Sequence, residues 1–210
     1  MIIKRYPIGP LEANCYLMVD ENTGDAAVLD PGGSSPTLNA AVQEVGENHI
    51  RYILLTHGHF DHIGGVADLL KKTNAQVLIM EQDGDFPSDS NLNLSGPVLG
   101  QETESFPVDR RLKDGDTILL GETALTVIHT PGHTCGSCCF AVGDALFTGD
   151  TLMNGGVGRT DFPTGDHAAL LSSLQRLARL PGNNVIYPGH GIPTTLQQEK
   201  KYNPYLGMVL

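Results

Sequence analysis

The run Thr56-His57-Gly58-His59-Phe60-Asp61-His62 places three imidazoles and one carboxylate directly behind the apolar stretch Tyr52-Ile53-Leu54-Leu55. In an extended turn, side chains at i and i+2 share a face, so His57 and His59 can grip one ion. Asp61 and His62 then open the next helix and face a neighbouring point. Imidazoles and a carboxylate crowded together need a cation to offset their desolvation. Three later segments repeat the same grammar of strand end, glycine and ligand type: Pro131-Gly132-His133, Thr148-Gly149-Asp150 and Pro188-Gly189-His190. Divalent ions held by such groups lower the pKa of a bound water from 15.7 to about 7 and polarise a carbonyl. That is hydrolytic chemistry, and it requires no Ser or Cys nucleophile.

The elements that must carry these residues follow from hydrophobic periodicity. Residues 2–8 and 14–29 cluster β-formers around the turn Glu21-Asn22-Thr23-Gly24, which predicts a β-meander. Leu29-Asp30-Pro31-Gly32-Gly33 breaks the sheet, and apolar residues at 38, 41, 42 and 45 predict a helix opened by Ser35-Pro36 and closed by Gly46. The strand ending at Leu55 leads through the histidine run into a second helix, with apolar residues at 63, 66, 69 and 70. From Glu81 to Asp116 the pattern dissolves, and the segment reads as a long loop that either covers a pocket or runs solvated over the surface. Strands are predicted near 117–120, 124–129, 138–142, 145–148 and 185–187, with a helix at about 166–179.

With 210 residues and 40% hydrophobic content, the chain can build a sizeable core. A net charge of -11 is the wrong sign for neutralising a phosphate backbone, so a nucleic-acid partner is not expected. The opening residues carry Lys4 and Arg5 without a following apolar run, and no stretch approaches membrane-spanning length, so neither a signal peptide nor a membrane span is expected. Cysteines at 15, 135, 138 and 139 are spaced unsuitably for a disulfide framework, which points to a reducing cytoplasm. Cys135 and Cys138 form a C-x-x-C before a predicted strand, where packed thiols are favoured over a redox switch.

On these residues the chain resembles the metallo-β-lactamase superfamily, whose H-x-H-x-D-H signature reads here as His57, His59, Asp61 and His62. The superfamily's remaining ligand motifs fall in order at His133, Asp150 and His190, and its early aspartate at Asp30. The resemblance implies an α/β fold, an αββα four-layer sandwich with metals at one edge of the paired sheets. It assigns His57, His59 and His133 to one ion and Asp61, His62 and His190 to the other. Asp150 bridges, Asp61 and Asp150 are the catalytic carboxylates, and Asp30 supports the metal loop without binding metal. The implied cofactor is two divalent ions, zinc foremost, with iron or manganese also suited to the second position.

The loop Gly158-Arg159-Thr160-Asp161-Phe162 is similar to the G-R-x-D loop of glyoxalase II, the hydroxyacylglutathione hydrolases. The segment Glu199-Lys200-Lys201-Tyr202-Asn203-Pro204 resembles their E-x-x-x-N-P motif. The implied substrate is a small thioester of the S-lactoylglutathione type, with Arg159 and Asp161 either shaping the pocket edge or bracing their loop. Residues 1–210 are expected to form a single domain without the C-terminal helical extension by which glyoxalase II reaches the glutathione carboxylates, so the thiol carrier stays open. A rival reading uses the same scaffold with one iron held by His57, His133 and Asp150, as in persulfide dioxygenases, which share the G-R-T-D-F loop.

Overall fold

Alternation along Ala13–Val19 sends Cys15 and Leu17 to one face of a strand and Tyr16 and Met18 to the other, yet all four are fully buried. A strand apolar on both faces must be covered twice. The computed structural model, which describes residues 1–210, meets that demand with two six-stranded sheets packed face to face and helices on both outer sides.

The first sheet holds, in spatial and chain order, β1 (Ile2–Ile8), β2 (Ala13–Val19), β3 (Ala26–Leu29), β4 (Ile50–Leu54), β5 (Gln76–Met80) and β6 (Arg110–Leu112). Its first three strands form the antiparallel meander, and β3 to β6 pair in parallel. The second sheet runs from β7 (Thr117–Leu120) through β8 (Thr123–His129), β9 (Cys138–Val142), β10 (Ala145–Gly149) and β11 (Val185–Pro188) to β12 (Thr194–Thr195), antiparallel except for β10 against β11. Between the sheets Tyr16, Met18, Leu29, Leu54, Phe140 and Phe147 interdigitate. Full burial of each such side chain contributes about 2 kcal/mol.

Outside the first sheet lie α1 (Pro36–Val45), α2 (Phe60–Ile63) and α3 (Val66–Leu70). Outside the second lie α4 (His167–Ala178), α5 (Leu196–Tyr202) and α6 (Pro204–Gly207). Ser35 caps α1 and Asp166 caps α4 by accepting backbone N–H groups at 3.4 and 3.0 Å. No helix is long and apolar enough to cross a membrane.

Two expectations change. The single helix expected after the histidine run is split into α2 and α3 at Gly64-Gly65, because the Pro31-Gly32-Gly33 turn packs against it. Gly65 donates its N–H to the Pro31 carbonyl at 2.7 Å, and a Cβ on Gly64 or Gly65 would lie 2.8 Å from the Gly32 oxygen or 2.6 Å from the Gly33 oxygen. The segment 81–116 is no solvated excursion. Phe86, Leu94 and Phe106 are buried, short helical turns form at Glu81–Asp83, Phe86–Ser88 and Ser95–Leu99, and β6 extends the first sheet. Those scattered apolar residues anchor to distant elements, which local periodicity does not register.

Candidate metal centre

Four loops deliver the ligand-type residues to one rim of the sandwich. They follow β4 (His57, His59, then Asp61 and His62 on α2), β8 (His133), β10 (Asp150) and β11 (His190). Backbone hydrogen bonds between the sheets close this rim: Cys138 N–H to the Thr56 carbonyl at 2.9 Å and Asn14 N–H to the Gly189 carbonyl at 2.7 Å. Tyr16 reinforces it by donating its hydroxyl to the Pro188 carbonyl at 2.7 Å, beside the turn that presents His190.

All seven predicted ligand positions come together. His57, His59 and His133 form one group, with ring centroids 4.7 to 4.8 Å apart. Asp61, His62 and His190 form another, with His190 Nε2 at 3.2 Å and His62 Nε2 at 3.5 Å from Asp61 Oδ2. Asp150 lies between the two: Oδ2 is 3.6 Å from both His133 Nε2 and His190 Nε2, and Oδ1 is 3.5 Å from His62 Nε2. Gly189 is required here, since a Cβ would collide with Asp150 Oδ1.

Three of the five imidazoles are oriented from behind. Asp30, held at a positive φ of 50°, accepts the Thr56 N–H and hydroxyl at 2.8 and 2.6 Å and lies 3.1 Å from His62 Nδ1. His57 Nδ1 lies 3.1 Å from the Thr56 hydroxyl, and His133 Nδ1 lies 2.7 Å from the Arg159 carbonyl oxygen. Such partners fix the ring and direct the other nitrogen inward.

The electrostatics fit a cation. Burial, and then the neighbouring imidazoles, hold His57 well below its usual range and His59 down to about 3, leaving both in the neutral form that binds metal. Burial works against the charged form of His62, yet Asp61, Asp150 and Asp30 together push it up to about 10. Burial likewise opposes ionisation of Asp61, but His62 and His190 hold its carboxyl low. The second group thus assembles carboxylates that protons alone must balance, a role a divalent ion takes over. Buried His57 Nε2, His59 Nε2 and Asp150 Oδ1 have no hydrogen-bond partner. Unpaired buried polar atoms of this kind cost free energy unless something else engages them, so the donor set fits metal ions.

Beside the cluster opens a cavity of about 570 Å³ lined by Leu11, Leu94, Val98, Met153, Val157 and Phe162 together with His59, Asp61, His133, Asp150, Arg159 and His190. The Arg159 guanidinium makes two bonds to Asp161, at 2.7 and 2.6 Å, and stacks 4.1 Å over Phe162. His129 stays outside the cavity, with Nε2 2.9 Å from the Cys135 carbonyl. Cys138 and Cys139 are buried in β9, while Cys135 is half-buried beside Asp83.

Two positioning groups escape a sequence reading. Asp83, fully buried after β5, accepts from Gly58 N–H, Gly136 N–H and the Thr134 hydroxyl at 3.0, 2.7 and 2.7 Å. The one signal for it is an acid shortly after an apolar strand, three residues beyond β5, whereas Asp30 follows β3 directly. Glu199 and Asn203, quoted above only as a motif, grip the loop after Asp150: Glu199 accepts the Gly155 N–H at 2.8 Å, and Asn203 donates to the Gly156 carbonyl at 3.0 Å. That loop carries Met153 and Val157 into the cavity wall.

Comparison with known proteins agrees with this architecture. Residues 8–190 match the family model of the metallo-beta-lactamase superfamily. The hydroxyacylglutathione hydrolase GloC of Haemophilus influenzae is 34% identical, over 98% of both chains. Among solved structures, the BLEG-1 B3 metallo-beta-lactamase superposes with a TM-score of 0.91 at 33% identity, covering 98% of this chain and 99% of that one. The di-iron-bound form of TTHA1623 follows at 0.85 and 36%, covering 97% and 100%. ETHE1 from Myxococcus xanthus reaches 0.78 and 29%, covering 99% and 85%.

Proposed function

The chain belongs to the metallo-beta-lactamase superfamily and is a metallo-hydrolase, and from this premise we propose that it cleaves thioesters of the hydroxyacylglutathione type. The observation that carries the reading is the pair of adjacent ligand groups with Asp150 between them, beside a cavity wide enough for a small acyl thioester.

His57, His59 and His133 would hold one ion and Asp61, His62 and His190 the other, with Asp150 shared. Bound divalent ions supply hydroxide near neutral pH and polarise the substrate carbonyl. Zinc suits the all-nitrogen first group, and the second, with its carboxylate, also accepts iron or manganese. The chain's own part is positional. Asp30, Thr56 and the Arg159 carbonyl keep the imidazoles aimed inward, and the buried Asp150 Oδ1 and the Asp61 carboxylate offer acceptors for the proton of the attacking water. The apolar wall excludes bulk water and orients the acyl arm. In the overall reaction the water oxygen bonds to the carbonyl carbon and the C–S bond breaks. The sulfur leaves with a proton, giving a carboxylic acid and a thiol.

The likeness to ETHE1 favours a second reading, a one-iron persulfide dioxygenase using His57, His133 and Asp150. Metal content and parallel assays on anaerobically purified protein separate the two. Two ions per chain with thiol release from S-lactoylglutathione supports the hydrolase. About one iron per chain, with oxygen uptake on a persulfide and no thiol release, overturns it. A chromogenic β-lactam run alongside tests the chemistry of the B3 enzyme.

A further inference from the structure

Separate loops bring apolar side chains to the wall of the cavity beside the ligand cluster. Leu11 comes from the β1–β2 turn, Leu94 and Val98 from the 81–116 segment, and Met153, Val157 and Phe162 from the loop after Asp150. Leu11 and Val98 are each 53% exposed. Large apolar side chains left open at the mouth of a reactive cavity gain burial when a ligand covers them.

Charge points the same way. Arg159 is the cation of the wall, and its guanidinium is already engaged by both oxygens of Asp161 and by the face of Phe162. An ionised carboxylate entering here would meet a guanidinium whose charge Asp161 already offsets, and would face the Asp161 carboxylate itself. An alkyl chain would instead be buried at a gain of about fourfold in affinity per methylene.

Resting on the thioester-hydrolase reading, we infer that the cavity selects thioesters by an uncharged, apolar arm of about hexanoyl size, and that the ionised ends of a peptide-like thiol carrier gain nothing from it. S-lactoylglutathione is then a substrate by its chemistry and a poor one by its fit.

Unreactive thioethers test this by titration calorimetry on both metal-loaded and metal-free protein. S-hexyl-N-acetylcysteamine should bind at least about tenfold tighter than S-methyl-N-acetylcysteamine, and several-fold tighter than S-hexylglutathione. Val98→Asp should shrink the hexyl-to-methyl ratio to about threefold or less, whereas Leu119→Asp, on an exposed strand position away from the cavity, should preserve it. Equal binding of methyl and hexyl compounds, tighter binding of S-hexylglutathione, or failure of S-hexyl-N-acetylcysteamine to bind overturns the inference. A failed hydrolase reading looks different: no acyl thioester releases thiol with any metal, while the binding order stands.

Discussion

The carboxylate of Asp83 accepts the backbone N–H of Gly58, the residue between His57 and His59, at 3.0 Å. The same carboxylate takes the Gly136 N–H and the Thr134 hydroxyl, just after His133. One side chain therefore sets the spacing between the two loops that supply the first ligand group. Asp83→Ala should strand the buried Gly58 and Gly136 N–H groups and cost about 3 kcal/mol in urea unfolding of the metal-free protein. In folded variant protein, zinc affinity should fall by about tenfold or more, read by competition with a chromophoric chelator. Unchanged affinity in Asp83→Ala would remove its positioning role.

Buried imidazole nitrogens without a hydrogen-bond partner, on His57 and His59, predict strong stabilisation by metal. Added zinc should raise the unfolding temperature, and at a thousandfold excess over Kd the gain is about 4 kcal/mol. Chelation should reverse it. His57→Ala should lose most of the increment without loss of secondary structure, as judged by circular dichroism.

The clamp formed by Glu199 and Asn203 predicts a separable defect. Asn203→Ala removes its bonds to the Met153 and Gly156 carbonyls, at 3.3 and 3.0 Å, and to Glu199 at 2.9 Å. The expected cost is about 1–3 kcal/mol of stability. Because Met153 and Val157 line the cavity but hold no metal, KM should rise while metal content stays at the wild-type value. A loss of metal in step with activity would contradict this division.

Acid stability has an assignable contributor away from the centre. Asp20 accepts from the Thr123 hydroxyl and from the Thr23 and Asn22 N–H groups, and these bonds hold its carboxyl below the ordinary 3.8. A depressed acid stabilises the fold above its unfolded pKa, and that stability is lost as pH falls through the lower folded value. Asp20 also ties the β2–β3 turn of one sheet to Glu122 and Thr123 of the other. Asp20→Asn should therefore be less stable near neutrality, and its urea midpoint should fall less steeply than that of the wild type below about pH 4. Parallel midpoint curves would reject the assignment.

Thiol reactivity should single out one position. Burial pushes the Cys139 thiol up to about 12 and the Cys15 and Cys138 thiols well above their usual range, while Cys135 is half-buried and also raised, by burial and then by Asp83. Since the thiolate is the nucleophile, native protein at pH 8 should release colour from an aromatic disulfide reagent at Cys135 alone, and slowly, against four thiols after unfolding. Cys135→Ser should abolish the native-state reaction.

What the amino-acid order determines by itself is whatever short-range rules encode. Alternation places Cys15 and Leu17 opposite Tyr16 and Met18, and apolar strands end at glycine followed by His133, Asp150 or His190. The repeated pattern of strand end, glycine and ligand type is legible in the sequence, and the family resemblance it carries implies that these residues meet. The tertiary structure alone decided the rest. Asp83 braces residues 25 and 53 positions away, His133 is oriented by a backbone oxygen 26 residues distant, and Leu94 and Val98 become a cavity wall from a stretch without periodicity. Gly64 and Gly65 interrupt a helix only because Pro31 to Gly33 arrive beside them. Periodicity reports whether a residue is buried, and the partner that buries it is chosen by long-range packing, where one backbone atom or one carboxylate can set the geometry of a whole loop.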